Sequence, residues 1–159
     1  MSVHHRIAEL GLELPEPMKL PPDLQLPFPW VRVVGDRAYV SGHGPLQPDG
    51  SLPALRGKVG REVSPEAAYQ AARSTALSML ASLSRTLGSL DRVVAWCRVY
   101  GMVNAAPGFT RAPAVINGFS DLILEVWGPE AGSHARSAVG LAELPFNLPV
   151  EVEAEVLIR

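Results

Sequence analysis

Between Ser64 and Gly88, Ala68, Ala72, Thr75 or Ala76, Met79, Leu83 and Leu87 recur at helical spacing. Ser64 can cap this run, Pro65 fits the first helical position, Glu66 suits the first turn and Gly88 ends it, which predicts an amphipathic helix with one face to bury. The closing segment has the other period. Val150, Val152, Ala154, Val156 and Ile158 alternate with Glu151, Glu153, Glu155, Leu157 and Arg159, the pattern of a strand with one buried face. "DRVVAWCRVYGMV" also reads as a strand, with Val93, Ala95, Cys97 and Val99 facing one way and Val94, Trp96, Arg98 and Tyr100 the other. "WVRVVGDRAYVSG" predicts two short strands turning at Gly35-Asp36. A second helix is expected over much of Pro113 to Val126, with Ile116, Phe119 or Ser120, and Ile123 towards the sheet and Gly128 beyond its end. Its weak point is Asn117-Gly118, because an interior Gly costs about 1 kcal/mol relative to Ala; a close approach or a bound group would explain it.

The N-terminal segment "HHRIAELGLELP" predicts one or two helical turns stopped near Gly11, followed by a Pro-rich stretch that cannot be regular helix or central strand. Met18, Leu20, Leu24, Leu26, Phe28 and Trp30 give that stretch enough apolar material to lie on a domain as an extended arm. The expected organisation is therefore a helical turn and packed arm over 1–29 and one α+β domain over 30–159, in the order strand, strand, helix, strand, helix, strand, strand. Two helices would cover one face of a mixed sheet and leave the other face, carrying Trp96 and Tyr100, to solvent or to further subunits.

A chain of 159 residues suits a single domain with a real core. With 14 Lys and Arg against 16 Asp and Glu, it has no broad cationic field for nucleic acid. One cysteine, Cys97, excludes an internal disulfide and reads as a core residue. The N-terminal segment mixes charge with its apolar residues and develops no signal-peptide or membrane-spanning run, which points to the cytoplasm. Scattered histidines and one cysteine lack the spacing of a metal site.

Within "HARSAVGLAELP", Arg136 interrupts what otherwise reads as a strand. A permanent cation there needs a protein acid, an anionic ligand or solvent. Together with "YVSGHGPL", "GKVG", "VINGFSDLILEVWG" and "VEVEAEV", this segment resembles the reactive-intermediate imine deaminase family, also called the RidA or YjgF/YER057c/UK114 family, in its subgroup with an extended N-terminal region. The resemblance covers Trp30 to Arg159. It implies a chorismate-mutase-like mixed sheet with two helices packed on one face, assembled as a homotrimer with ligand clefts between subunits. It also implies hydrolytic deamination of small enamine or imine carboxylic acids, of the 2-iminobutanoate and 2-iminopropanoate type, without metal, cofactor or covalent nucleophile. The family's carboxylate-binding arginine falls on Arg136 and its water-positioning glutamate on Glu151, while its remaining ligand-binding positions fall on Asn117, Ser41, Gly42 and His43. Guanidinium offers a fixed donor fork for a carboxylate. Glu151 would act as acid or base only if its surroundings adjusted its proton affinity.

The sequence departs from the family pattern at Ala138, where a cysteine is common, at His43, where glutamine is usual, and in the Pro-rich arm, which replaces a short segment carrying a pocket tyrosine. The residues also admit plainer roles. Arg136 could pair with a glutamate across an interface, Glu151 could be one of three solvated acids, and His43 could serve only as a loop hydrogen-bonding group with no hydroxyl partner evident in sequence. A noncatalytic trimer binding small carboxylates is the alternative function; a ribonuclease-like activity is disfavoured by the net charge and by the absence of a basic and aromatic stripe. If the last two strands form a hairpin through Leu144 to Pro149, Glu151 pairs near Ala142 and Arg136 lies about six residues, on the order of 20 Å, further along. That separation predicts a pocket shared between neighbouring chains.

Overall fold

A computed structural model describes residues 1–159. After a short helix, α1 (Val3–Glu9), come strands β1 (Val31–Val34) and β2 (Arg37–His43), then α2 (Pro65–Leu87), β3 (Val93–Asn104), α3 (Ala112–Gly132), β4 (Ala135–Leu141) and β5 (Val150–Ile158). The expected order of strands and helices is the observed one. Ser64 caps α2, accepting from the Ala67 N–H at 3.1 Å, and Gly88 closes it in the left-handed conformation. α3 is interrupted at Gly128, whose φ of 73° and ψ of 175° are not helical, followed by Pro129. No helix is long and apolar enough to cross a membrane.

The five strands lie in the order β1-β2-β5-β3-β4, antiparallel except for the parallel pair β3 and β4. Both long helices pack on one face, where Val150, Val152, Ala154, Val156 and Ile158 of β5 meet Ala72, Met79 and Leu83 of α2 and Ile116, Phe119 and Ile123 of α3 in one core. The Asn117-Gly118 pair now has its reason. A Cβ on Gly118 would collide with the backbone carbonyl of Tyr69, so the glycine lets α3 lie directly on α2.

Two expectations are corrected. β4 and β5 do not form a hairpin: β5 inserts between β2 and β3, and β4 occupies the sheet edge beyond β3. Nor does β3 alternate strictly. Its register against β5 shifts between Val93 and Ala95 and again between Trp96 and Arg98. Each bulge adds one residue on the β3 side and inverts the facing of the residues beyond it. Trp96 consequently points into the core, 2 % exposed and edge-on to Phe119 and Trp127, rather than onto the open face with Tyr100. Cys97 is only half-buried and lies 3.7 Å from the Arg37 guanidinium on the open side, not in the core.

From Leu12 to Pro29 the chain has no regular structure. It is fastened by backbone bonds from Glu16 N–H to the Pro48 carbonyl (2.9 Å) and from Lys19 N–H to the Gly50 carbonyl (3.0 Å), and Arg85 donates to the Pro15 carbonyl (3.2 Å). The helix-free face of the sheet is open, with a depression of about 430 Å³ between Arg32, Tyr39, Ser41, Arg98, Tyr100 and Glu153.

Candidate functional site

β4 pairs with β3 so that Arg136 stands opposite Val99, a core-facing position, and Arg136 therefore projects to the helix side at the sheet edge. There it meets one face of α3. Nη1 donates to Asn117 Oδ1 (2.9 Å) and to Ser120 Oγ (3.1 Å), and Nη2 donates to the Pro113 carbonyl (3.3 Å). Pro113, Asn117 and Ser120 are spaced four and three residues apart, which stacks them on one stripe of a helix. Asn is a poor interior helix residue, and its place here is explained by the acceptor it turns towards the guanidinium. The three acceptors are neutral, and Arg136 is in no ion pair. Burial pulls its proton affinity down, against a smaller opposing pull from Asp121; a guanidinium nonetheless stays charged at neutral pH. Of its five N–H groups, Nε–H and one Nη2–H remain, on the same edge of the plane, the geometry of a fork for a carboxylate. Arg136 lines a shallow depression of about 250 Å³ together with Ser120, Leu124, Ser133 and His134.

Nothing in the sequence pattern marks Ser120 and His134 as functional on its own. His134 Nε2 lies 2.9 Å from Ser120 Oγ, and its Nδ1 lies 2.7 Å from the Gly132 carbonyl. Two signals could have found them: Ser120 shares the helix stripe of Asn117, and His134 precedes Arg136 by the two-residue period of a strand.

Glu151 belongs to a different place. It sits opposite Met102 on the open face of the sheet, half-buried, with its carboxylate against the α-carbon of Gly42. A Cβ on Gly42 would lie 2.5 Å from Glu151 Oε2, so the absence of a side chain there makes room for the acid. Burial, and then the charge of Glu153, raise the Glu151 proton affinity above the ordinary carboxylate value. Ser41 and Gly42 form a β-bulge: Val40 pairs with Ala154 and His43 with Val152, so the two residues between oppose Glu153 alone. A bulge releases backbone groups from the ladder beside the acid. Ser41 Oγ donates to the Pro29 carbonyl at 2.9 Å, which brings the arm to the edge of this group.

His43 turns the other way. It is 5 % exposed, with Nδ1 2.6 Å from the Ser41 carbonyl, Nε2 2.9 Å from Ser82 Oγ of α2, and its ring centroid 5.1 Å from that of Trp30. Burial lowers its pKa to about 4 and keeps it neutral. Ser82 is the hydroxyl partner that the sequence did not disclose.

The structure thus brings Arg136 and Asn117 together, and Ser41 and Gly42 to Glu151, but it separates the two groups. By strand register they are two strands and three residues apart, about 14 Å at ordinary sheet spacings, and on opposite faces.

The family model described as "YjgF/chorismate_mutase-like, putative endoribonuclease" matches residues 4–152. Protein TCP17 of Trypanosoma cruzi is 42% identical over 122 residues, covering 77% of this chain and 75% of that protein. The crystal structure of the protein Atu1372 from Agrobacterium tumefaciens has a TM-score of 0.87 at 37% identity, over 99% of this chain and 92% of that one. A crystal structure from Shewanella oneidensis, described as a putative endoribonuclease, has a TM-score of 0.88 at 28% identity, over 99% and 100% of the two chains.

Proposed function

From membership of the YjgF/chorismate-mutase-like family, to which this chain belongs, we propose that the protein hydrolyses small 2-imino and enamine carboxylic acids to 2-keto acids and ammonia. The observation that carries this reading is the uncompensated Arg136 cation, held by three neutral acceptors with the Nε and Nη2 edge left over. An enamine first tautomerises to the imine, moving a proton from nitrogen to carbon. With the acid's carboxylate on that edge, water adds to the imine carbon, the nitrogen takes protons, and the C–N bond breaks as the carbonyl forms and ammonia leaves. Glu151 takes the proton of the attacking water and returns it to the nitrogen. A carboxyl whose proton affinity is raised by burial suits both transfers.

The reading needs two chains, because Arg136 and Glu151 lie on opposite faces of one sheet. The assembly is a homotrimer, with Arg136 and Asn117 of one subunit facing Glu151, Ser41 and Gly42 of the next. In support, the open face carries Tyr39 and Val139 exposed and Tyr100 half-exposed, apolar surface of the kind that subunit contact covers. The arm borders the group through Pro29 and Ser41, so it would shape the substrate side chain the cleft accepts.

A second reading, binding of small carboxylates without turnover, is favoured by one observation: no carboxylate that could serve an attacking water lines the depression that Arg136 faces. The ribonuclease description of the Shewanella relative has less support, since Glu153 and Glu155 stand among Arg32 and Arg98 on the open face and leave no continuous cationic track. The test generates 2-iminopropanoate in place with an amino acid oxidase and follows ammonia release above the spontaneous rate. Turnover abolished by Glu151→Gln and by Arg136→Ala supports hydrolysis. Saturable keto-acid binding with no acceleration selects the binding reading, and neither activity rejects both.

A further inference from the structure

We propose that Ser120 and His134 are positioning residues that aim the Arg136 guanidinium through a directed hydrogen-bond relay; the proposal rests on Arg136 receiving the substrate carboxylate. The direction is set by the chemistry of each partner. The Gly132 carbonyl can only accept, so His134 Nδ1, 2.7 Å away, carries the ring proton. In the neutral ring Nε2 is then a bare acceptor, and the Ser120 hydroxyl, 2.9 Å from it, must donate to it. With its hydrogen committed, Ser120 Oγ presents lone pairs to Arg136 Nη1 at 3.1 Å. The relay runs Arg136 to Ser120 to His134 to the Gly132 carbonyl, and Asn117 Oδ1 receives the other Nη1 hydrogen.

This arrangement fixes the cation without neutralising it. A carboxylate in place of the hydroxyl or imidazole would hold Arg136 as firmly but would compete with the substrate's own carboxylate. Neutral acceptors leave the charge to the ligand. The ring stays neutral because burial lowers its proton affinity and the Arg136 charge lowers it further. The charged groups around the pair are Arg136 on β4 and Asp121 on α3, the latter acting on Arg136. Protonating His134 would turn Nε2 into a donor, reverse its bond to Ser120 and set a second cation beside Arg136. Relay and charge are therefore linked: whatever compensates or removes the Arg136 charge makes His134 easier to protonate.

The test titrates the full-length protein with 2-ketobutyrate by calorimetry and reads His134 by side-chain ¹⁵N NMR. Ser120→Ala and His134→Phe should each weaken binding about five- to tenfold, the scale of one neutral hydrogen bond. Ser120→Thr keeps a hydroxyl and His134→Gln supplies an amide oxygen near the place of Nε2, so both should stay within about twofold of the parent. The NMR spectrum should show the Nδ1–H tautomer at neutral pH, with a His134 pKa that rises on keto-acid saturation and, without any ligand, in Arg136→Ala. A packing role for His134 would not produce that linkage. Unchanged affinity in Ser120→Ala would overturn the proposal, as would an Nε2–H tautomer; the Ala and Thr pair at 120 decides it even if His134→Phe does not fold. If Arg136→Ala itself binds the keto acid like the parent, the substrate reading falls and the aiming proposal falls with it. If only Arg136→Ala weakens binding, the substrate reading stands and the relay alone is rejected.

Discussion

Replacing Gly118 by Ala sets two effects of opposite sign against each other. Helix propensity alone would stabilise the variant by about 1 kcal/mol, since an interior Gly is that much worse than Ala. The packing works in the other direction. The new Cβ would lie 3.0 Å from the Tyr69 carbonyl carbon and 3.2 Å from its Cγ, and closer still to the carbonyl oxygen. Carbon contacts are optimal near 3.5 to 4.0 Å and the carbonyl oxygen is nearer than either carbon, so α3 must retreat from α2 by roughly 1 Å or more. Because backbone rather than a pliant side-chain tip is in the way, the upper end of the overpacking range applies, about 3 kcal/mol. The net expectation is destabilisation by about 2 kcal/mol, and at roughly 2 to 4 °C per kcal/mol for a domain of this size a Tm lower by about 4 to 8 °C. Urea and thermal unfolding at one fixed protein concentration measure this without confounding by assembly. Asn117 should move with the helix, so the affinity for keto acids should fall in the same variant. A Gly118→Ala protein more stable than the parent would refute the close approach of the two helices.

The His43 pKa, lowered from an ordinary 6.5 to about 4, gives a pH-dependent stability whose sign is fixed. The unfolded chain binds the proton more readily, so the stabilisation is complete above pH 6.5 and is lost as pH falls towards 4, by about 3 kcal/mol in all; His43→Gln should flatten that part of the urea-midpoint profile. Gly42→Ala should leave Tm within about 2 °C, since only the flexible tip of Glu151 must yield, yet lower imine turnover at least about tenfold by displacing the carboxylate; full activity would dissociate that contact from the chemistry. Trp96→Ala should destabilise by about 3 to 5 kcal/mol, whereas Tyr100→Ala on the open face should cost far less in the isolated subunit; equal effects in chemical denaturation would contradict the bulged register of β3.

That register marks the limit of what the sequence discloses. α2 was legible because cap, first-turn Pro and closing Gly all agree with its apolar stripe, and β5 because its alternation is unbroken from Val150 to Ile158. The bulges of β3 leave no such trace: a strand rich in apolar residues on both faces offers no contrast by which an extra residue would be noticed. Strand order was equally hidden. Nearness in sequence favours a hairpin of the last two strands, whereas burying the apolar side of β5 beneath both helices places it centrally between β2 and β3. Asn117 and Arg136 were each readable as site positions through the family resemblance, but their contact was not; Ser120 looked like one more inward helix position, and only the fold joins it to His134. The hairpin estimate put Arg136 and Glu151 too far apart for the wrong reason; the intervening strand and the change of face separate them instead.

The most direct measurement mixes Arg136→Ala and Glu151→Ala subunits, each inactive alone, after controlled dissociation and reassembly, with parent subunits carried through the same procedure. In a cyclic trimer each cleft would take its cation from one chain and its acid from the next. Random mixing in equal amounts then leaves about a quarter of the clefts with both groups intact, and imine hydrolysis should return to about a quarter of the parent rate. Sizing must confirm that the mixed trimers have formed. Their formation without any recovery of activity would contradict the shared cleft, since a site contained within one chain has no way to be complemented.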